Sequence, residues 1–401
     1  MPALASCIDY NDATEPVRGT TIRLLRPADF TDNSSLSGKT ITLTAGGKTL
    51  SATTDANGVA TISELTPDVY NISTSWQISS DEFLRYTAGK GQLQSLSGCT
   101  MAGSVANQLI TSAQNIDIQL LCSANQDIII GKIYFAGSRD DNNKPYDAGK
   151  YIELYNQSDN TIDASGLYIG LGEGESTQAY TLENLHEQHA DSVILLKQIF
   201  RIPADEPVLV KPGGTIVLAN SAIDHTANQA SLESDLSDAD FEAKDNSGRM
   251  TNNTEVPALQ QLFSIYPAIS NMNLVNNGLC SVVIFYMDEK VEDLKTTYKY
   301  PNNDTRGYQW KLLPKRYILD GVECLPNKAT TGPDIGAKRL YPEIDAGYAN
   351  INAPSGRTGE LVYRKTSAKR GADGHLVLED TNNSSNDFQV STTIKPRQYD
   401  E

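Results

Sequence analysis

The stretch DIIIGKIYFAGSRDDNNKPYDAGKYIELYNQSDNTIDASGLYIG, residues 127–170, decides how this chain folds. Its apolar runs are short, rich in Ile and Tyr, and separated by clusters of Asp, Asn, Ser, Gly and Pro. β-branched and aromatic residues bounded by turn formers read as strands. Ile128–Phe135 is predicted as one strand, Lys150–Tyr155 as a second and Ile162–Ile169 as a third. A polar loop joins the first two, and Asn156–Asp159 turns the chain into the third.

The same vocabulary fills the chain on the N-terminal side. Thr20–Leu25 and Lys39–Thr44 are predicted strands, and Gly46-Gly47 is a hairpin signal leading into Lys48–Thr54. Asp55-Ala56-Asn57-Gly58 then separates two further runs. An Asx-type turn satisfies those residues, and the Asp55/Asn57 pair also suits a calcium loop. The pattern resets near Ser123–Gln126, where the domain boundary is placed. The expected organisation is a lipobox and tether over residues 1–15, one β-sandwich over 16–124 and a second, with long insertions, over 125–401. A chain of 401 residues is too long for one compact core.

C-terminal to the deciding stretch, Val210–Asn220 continues the strand pattern. About 100 residues then intervene before Tyr317–Cys324. They contain a predicted helix over Pro257–Tyr266, a predicted strand over Cys280–Tyr286 and a polar connection around Pro301–Asp304. Connections of this length commonly carry function, so binding is sought between residues 221 and 316.

Lys+Arg total 33 against 50 Asp+Glu, giving 33 − 50 = −17. Such a surface repels phosphate backbones and argues against nucleic-acid binding. Arg357, Arg364, Lys365, Lys369 and Arg370 form the one local concentration of positive charge, read as solvated. No run reaches the roughly 18 apolar residues that span a bilayer.

Leu4-Ala5-Ser6-Cys7 has the form of a bacterial lipobox, with small residues ahead of a cysteine whose thiolate accepts a diacylglycerol. A polar, acidic stretch follows and reads as a tether, so Cys7 is the expected lipid attachment site. The charged and apolar parts of a signal peptide are expected upstream of Met1. The remaining cysteines are Cys99, Cys122, Cys280 and Cys324. Four cysteines permit three pairings, and domain locality favours Cys99 with Cys122 and Cys280 with Cys324. Buried free thiols are the alternative.

Motifs for chemistry are few. His186-Glu187-Gln188-His189 places its histidines at i and i+3, whereas a zinc helix needs i and i+4 to put both imidazoles on one face. Gly170–Gly174 follows a strand but has no lysine or helix behind it, so it is a connection and not a phosphate loop. There is no Gly-x-Ser-x-Gly elbow, and Gly98-Cys99 and Gly278-Leu279-Cys280 have no paired histidine signal. Asp140-Asp141-Asn142-Asn143 suits a polar hairpin loop. Its oxygens also suit calcium, although EF-type alternation with a downstream bidentate Glu is missing. No metal, cofactor or catalytic residue is assigned. Trp310, Tyr308, Tyr298 and Tyr300 are the aromatic candidates for a binding platform, with core packing the competing reading for Trp310.

Two resemblances follow from these residues. TTDANGVATISELTPDVYNIS, residues 53–73, resembles the transthyretin-like, carboxypeptidase-regulatory-like sandwich, with Asp68 where that family usually has Gly. IYF, YIELYN, NTIDASGLYIG and VKPGGTIVLAN resemble the lamin-tail domain, a small immunoglobulin-like β-sandwich, in which Glu153 has a structural role. SDLSDADFEAKD, YILDGVEC, KRLYPEIDAGY and LEDTNNSSNDFQ resemble the C-terminal blocks of a Bacteroidota outer-membrane lipoprotein family of unknown function. The resemblance implies a mainly β, non-enzymatic envelope protein, lipid-anchored at the outer membrane. It implies a structural or accessory role beside a TonB-dependent transporter in nutrient uptake. Asp9, Asp12 and Glu15 resemble the surface-export signal of such lipoproteins. A glycan- or peptide-binding surface module and a hydrolase are the rival readings.

Overall fold

A computed structural model describes residues 15–28, 30–31, 34–88, 98–124, 127–172, 193–228, 232–287, 289–300 and 304–400. The chain is mainly β and divides into two compact units, Met1–Asn125 and Gln126–Glu401.

The first unit contains β1 (Thr20–Leu25), β2 (Thr40–Ala45), β3 (Lys48–Thr53), β4 (Val59–Ile62), β5 (Asp68–Ile78), α1 (Ser80–Tyr86), β6 (Cys99–Ile110), β7 (Asn115–Gln119) and β8 (Leu121–Ala124). Two sheets form, ordered β4-β1-β7 and β3-β2-β5-β6-β8. Along β5 burial alternates, so Tyr70, Ile72, Thr74 and Ile78 face inward while Asn71, Ser73 and Ser75 face out. Ile22 and Leu24 of β1 join Ile41, Leu43 and Ile72 of the larger sheet in one core, which makes the unit a sandwich. Asp55 Oδ1 accepts from the N–H groups of Asn57 and Val59 at 2.8 and 2.9 Å, an Asx turn between β3 and β4. The short helix α1 was not expected; Ser79 caps it with Glu82 in a capping box.

The second unit contains β9 (Ile128–Tyr134), β10 (Ser138–Arg139), β11 (Pro145–Tyr146), β12 (Tyr151–Asn156), β13 (Ile162–Asp163), β14 (Tyr168–Gly172), β15 (Val193–Arg201), β16 (Leu209–Val210), β17 (Thr215–Ala219), β18 (Phe241–Glu242), β19 (Gln260–Ser264), β20 (Cys280–Phe285), β21 (Thr296–Tyr300), β22 (Asp304–Pro314) and β23 (Ile318–Cys324). After β24 (Asn327–Lys328) and β25 (Gly332–Pro333) come β26 (Leu361–Arg364), β27 (Thr366–Arg370), β28 (Leu376–Leu378), α2 (Ser384–Asp387) and β29 (Phe388–Ser391). One sheet runs β18-β17-β12-β9-β26-β29; the other runs β21-β22-β15-β14-β20-β23, with β19 on β15. Every residue of β9, β12 and β20 is buried, so these strands are covered on both faces.

Two sequence expectations fail here. The strand predicted over Ile162–Ile169 is split, because Asp163 Oδ1 accepts from Ser165 N and Val208 N, and Gly166 takes φ +75°. That corner sends β13 to pair with β16 and β14 into the larger sheet. The helix predicted over Pro257–Tyr266 is instead the strand β19, captured by pairing with β15. Tertiary pairing overrides local propensity in so short a segment.

Candidate ligand-binding site

An open cleft of about 460 Å³ lies in the second unit. Its walls are the segment Pro145–Lys150, which runs from β11 to the start of β12, the loop around Asp245–Met250, and the segment from Ala268 to Asn276. The last two belong to the long segment singled out in the sequence.

Buried polar side chains from the sheets hold the walls. Asn220, which ends VKPGGTIVLAN, donates to Met272 O at 3.0 Å and accepts from Met272 N at 2.8 Å. Gln198 of β15 donates to Asn271 O at 3.0 Å and accepts from Asn273 N at 2.7 Å. Lys150 Nζ donates to Leu274 O at 2.8 Å. Pinned in this way, the segment from Asn271 to Asn276 lines the cleft. On the opposite wall Asp245 accepts from Ser247 N, Arg249 N and Met250 N, at 3.0, 2.7 and 2.9 Å. Burial opposes its ionisation, but these bonds win and hold the carboxyl below its usual range.

Lys150 is buried, and its Nζ lies 3.3 Å from Asp147 Oδ1. Burial lowers its pKa to about 8 against the pull of Asp147, and the nearby Arg357 and Lys197 lower it further. Asp147 also accepts from Asn276 and pairs with Arg357. Arg249 and Asn273 have no hydrogen bond or ion pair through their side chains to another described residue, and both line the cleft.

Behind Tyr146 lies a second polar cluster. The Tyr146 hydroxyl meets His225 Nδ1 at 2.6 Å, and His225 Nε2 meets Ser221 O at 2.8 Å, so both ring nitrogens are engaged. Glu233 Oε1 accepts from the Tyr134 hydroxyl at 2.9 Å and from the Ser138 hydroxyl. Glu233 Oε2 is buried without a hydrogen-bond partner, and burial raises the carboxyl's pKa. This cluster fixes the cleft wall from inside.

The residues singled out in the sequence scatter. Cys7, His186 and His189 lie outside the described residues, as do Glu173 and Gly174 of the glycine-rich connection. Cys99, Cys122, Cys280 and Cys324 are free thiols. Each favoured pair is nonetheless adjacent: Cys122 hydrogen-bonds with Cys99, and Cys280 is the register partner of Cys324. Asp140–Asn143 is the β10–β11 hairpin, with Asp140 Oδ1 accepting from Asn142 N and Lys144 N. Among the described residues no group of three or more His, Cys, Asp or Glu is placed to hold a metal.

Trp310 is 2% exposed and packs with Leu195, Ile265 and Leu312, so it belongs to the core and not to a platform. Tyr308 is exposed and meets Tyr266 edge-on at 5.2 Å. Tyr298 is half-buried, and the Tyr300 side chain is outside the description. The basic concentration near the C-terminus is not a patch. Arg364 is buried among Asp320, Asp380 and Asp387, and Arg357 turns to Asp147. Reading Arg364 as solvated charge is therefore corrected, since sequence proximity to Lys365 and Lys369 gave no hint of its three carboxylate partners.

A family model described as protein of unknown function (DUF4876) matches residues 211–395. The matched range contains Asn220, Asp245–Met250 and the segment from Ala268 to Asn276, but not Pro145–Lys150. The fold is similar to the 2.50 Å crystal structure of a DUF4876 family protein from Bacteroides thetaiotaomicron VPI-5482. That likeness has a TM-score of 0.55 at 19% identity, covering 93% of this chain and 94% of the other. No curated protein matches the chain. Lys150, Asp147, Arg249 and Asn273 escaped the sequence reading; a lysine opening the apolar strand Lys150–Tyr155 was the available signal.

Proposed function

We propose that this chain is a non-enzymatic binding protein of a bacterial envelope that captures a small polar ligand in the cleft of its second unit. The observation that carries the reading is the division of labour at residues 271–274. Side chains on and beside rigid strands satisfy the backbone there, while Arg249 and Asn273 line the cleft with no side-chain partner among the described residues. Binding residues on loops held by a rigid scaffold are a recurrent arrangement. The cleft volume falls in the roughly 300–1,000 Å³ range of small-molecule sites. Screening polar compounds by ligand-detected NMR against wild type and Asn273→Trp tests this. Hits on wild type should be lost when the cleft is filled, and hits that persist equally in both proteins would sink the reading.

The envelope part of the proposal rests on Leu4-Ala5-Ser6-Cys7 and on the family likeness, with an accessory role beside a TonB-dependent transporter as its context. Acyl chains on Cys7 would hold the body at the membrane, each buried methylene contributing roughly 0.8 kcal/mol. Expressed behind a bacterial lipoprotein signal sequence, wild type should take up labelled palmitate and enter the membrane fraction, and Cys7→Ala should do neither. A soluble, unlabelled wild type would remove the anchor.

A further inference from the structure

We infer that the ligand of this cleft is a hydroxylated carboxylate of monosaccharide size, of the uronic-acid class, its carboxylate held by Arg249 and its hydroxyls by Asn273 and Asn271. The inference rests on the binding reading above and gives it a substrate class.

The charge pattern comes first. The chain carries −17 overall, so an anion gains nothing from its general surface. Along the cleft lining that excess of negative charge is gone. Lys150 and Arg249 balance Asp147 and Asp245. Behind them Arg357 pairs with Asp147, Lys197 is near enough to Lys150 to oppose its charge, and Glu233 lies behind Tyr146. Neither carboxylate is available to repel a ligand strongly. Asp245 is saturated by backbone N–H groups, and Asp147 by Lys150, Asn276 and Arg357. Of the two cations that line the cleft, Lys150 is engaged by Asp147 and Leu274 O, and Arg249 has no side-chain partner among the described residues; a guanidinium fork matches the two oxygens of a carboxylate.

The rest of the lining argues against a bare inorganic anion. The Asn273 side chain has no hydrogen-bond partner among the described residues. Asn271 uses only its NH₂, on Met250 Sδ at 3.1 Å, and keeps its carbonyl oxygen. Amides donate and accept side by side, which suits hydroxyl groups that also do both. Ile269, Leu274 and Met250 give the same cleft an apolar side, suited to the C–H face of a sugar ring. A bare anion would use none of this.

Isothermal titration of the soluble full chain at low salt tests the inference, with galacturonate, glucuronate, galactose and citrate as probes. The uronates should bind saturably and at least tenfold more tightly than galactose. Arg249→Gln should erase that preference, and Asn273→Ala should weaken the uronates several-fold. Equal affinity for galactose and galacturonate, a preference for citrate, or uronate binding indifferent to Arg249→Gln would overturn the inference. The polar-compound screen separates this from the broader reading. If other compounds are lost on Asn273→Trp while uronates never bind, the ligand class is wrong and the cleft still binds. If nothing is lost on filling the cleft, both fall.

Discussion

Lys132 and Glu153 face each other across β9 and β12 with Nζ and Oε1 2.7 Å apart, and neither side chain has any exposure. The C-terminal segment closes over them. The Tyr399 ring centroid lies 3.7 Å from Lys132 Nζ, and Arg397 N donates to Glu153 Oε2 at 2.7 Å. Burial lowers the Lys132 pKa despite its partner. Glu153 was read from sequence as structural, and this pair is the physical content of that role. Breaking a buried pair leaves an uncompensated charge, at a cost of about 3–5 kcal/mol. Glu153→Ala should therefore lose stability on that scale in urea denaturation. Lys132→Met with Glu153→Leu should recover most of it, and equal losses in the single and double variants would contradict the argument.

Gly149 lies under the cluster that backs the cleft. A Cβ at this position would stand 2.1 Å from Glu233 Oε2 and 3.5 Å from His225 Cγ. Gly149→Ala should destabilise by about 1–3 kcal/mol, the usual cost of overpacking. Combining it with Glu233→Ala should make the added methyl nearly neutral. Thermal denaturation of the four proteins closes the cycle, and a methyl cost that survives Glu233→Ala would show that Glu233 is not the obstacle.

Trp310 and Tyr308 separate core from surface within β22. Trp310→Ala should cost about 3–5 kcal/mol as a buried aromatic deletion, whereas Tyr308→Ala should stay within about 0.5 kcal/mol. If the Trp310 variant kept full stability, its packing against Leu195, Ile265 and Leu312 would not be contributing as described.

Arg364 sits 3.0 Å from Asp320, 3.0 Å from Asp380 and 3.4 Å from Asp387, with all four side chains buried. One guanidinium cannot balance three carboxylates. Burial raises Asp380 to about 6 against the pull of Arg364, helped by Asp320 and Asp387, and Asp380 Oδ2 has no partner. An unfolded aspartate titrates near 3.9, so the folded protein binds the extra proton between about pH 4 and 6. Stability from this group is therefore greatest below pH 4 and falls as pH rises to 6, by about 3 kcal/mol. Asp147, Asp163 and Asp245 shift the other way, so the difference between proteins is the clean observable. The stability of wild type minus that of Asp380→Asn should fall across this window, and a flat difference would remove Asp380 as its source.

The strand grammar of Asp127–Asn156 and of residues 20–54 was legible because apolar runs and turn residues alternate there without competing signals. β1 was read to the residue, and the hairpin at Gly46-Gly47 follows from its composition. Ile162–Ile169 misled because the corner at Asp163 is a side-chain decision, made by Oδ1 accepting from Ser165 and Val208. Pro257–Tyr266 misled because β15 supplies its pairing from more than fifty residues away. The cleft was legible only as a region. Its working groups gather from residues 146–150, 220, 245–250 and 268–276, and no local pattern links Lys150 to Leu274 or Asn220 to Met272.

The cysteines make the final prediction. Cys122 lies on β8 and is half-buried; its hydrogen bond with the buried Cys99 of β6 lowers its pKa. Cys324 is pushed far up by burial, with Cys280 and Glu323 adding to the effect. Thiolate character governs reactivity, so the pairs should behave differently. In the folded, reduced protein a small alkylating reagent should modify Cys122 first and reach Cys280 and Cys324 only on unfolding. Oxidised glutathione should convert Cys99 and Cys122 to a disulfide: the Cys122 thiolate attacks the reagent, and Cys99 then displaces glutathione thiol from the mixed disulfide. The closed loop should stabilise the first unit by about 3 kcal/mol. Peptide mapping under non-reducing conditions reads the pairing, and the loss of two alkylation sites reads its extent. A mixed disulfide that persists at Cys122 would show that Cys99 cannot reach it, and alkylation of Cys280 ahead of Cys122 would reverse the predicted order.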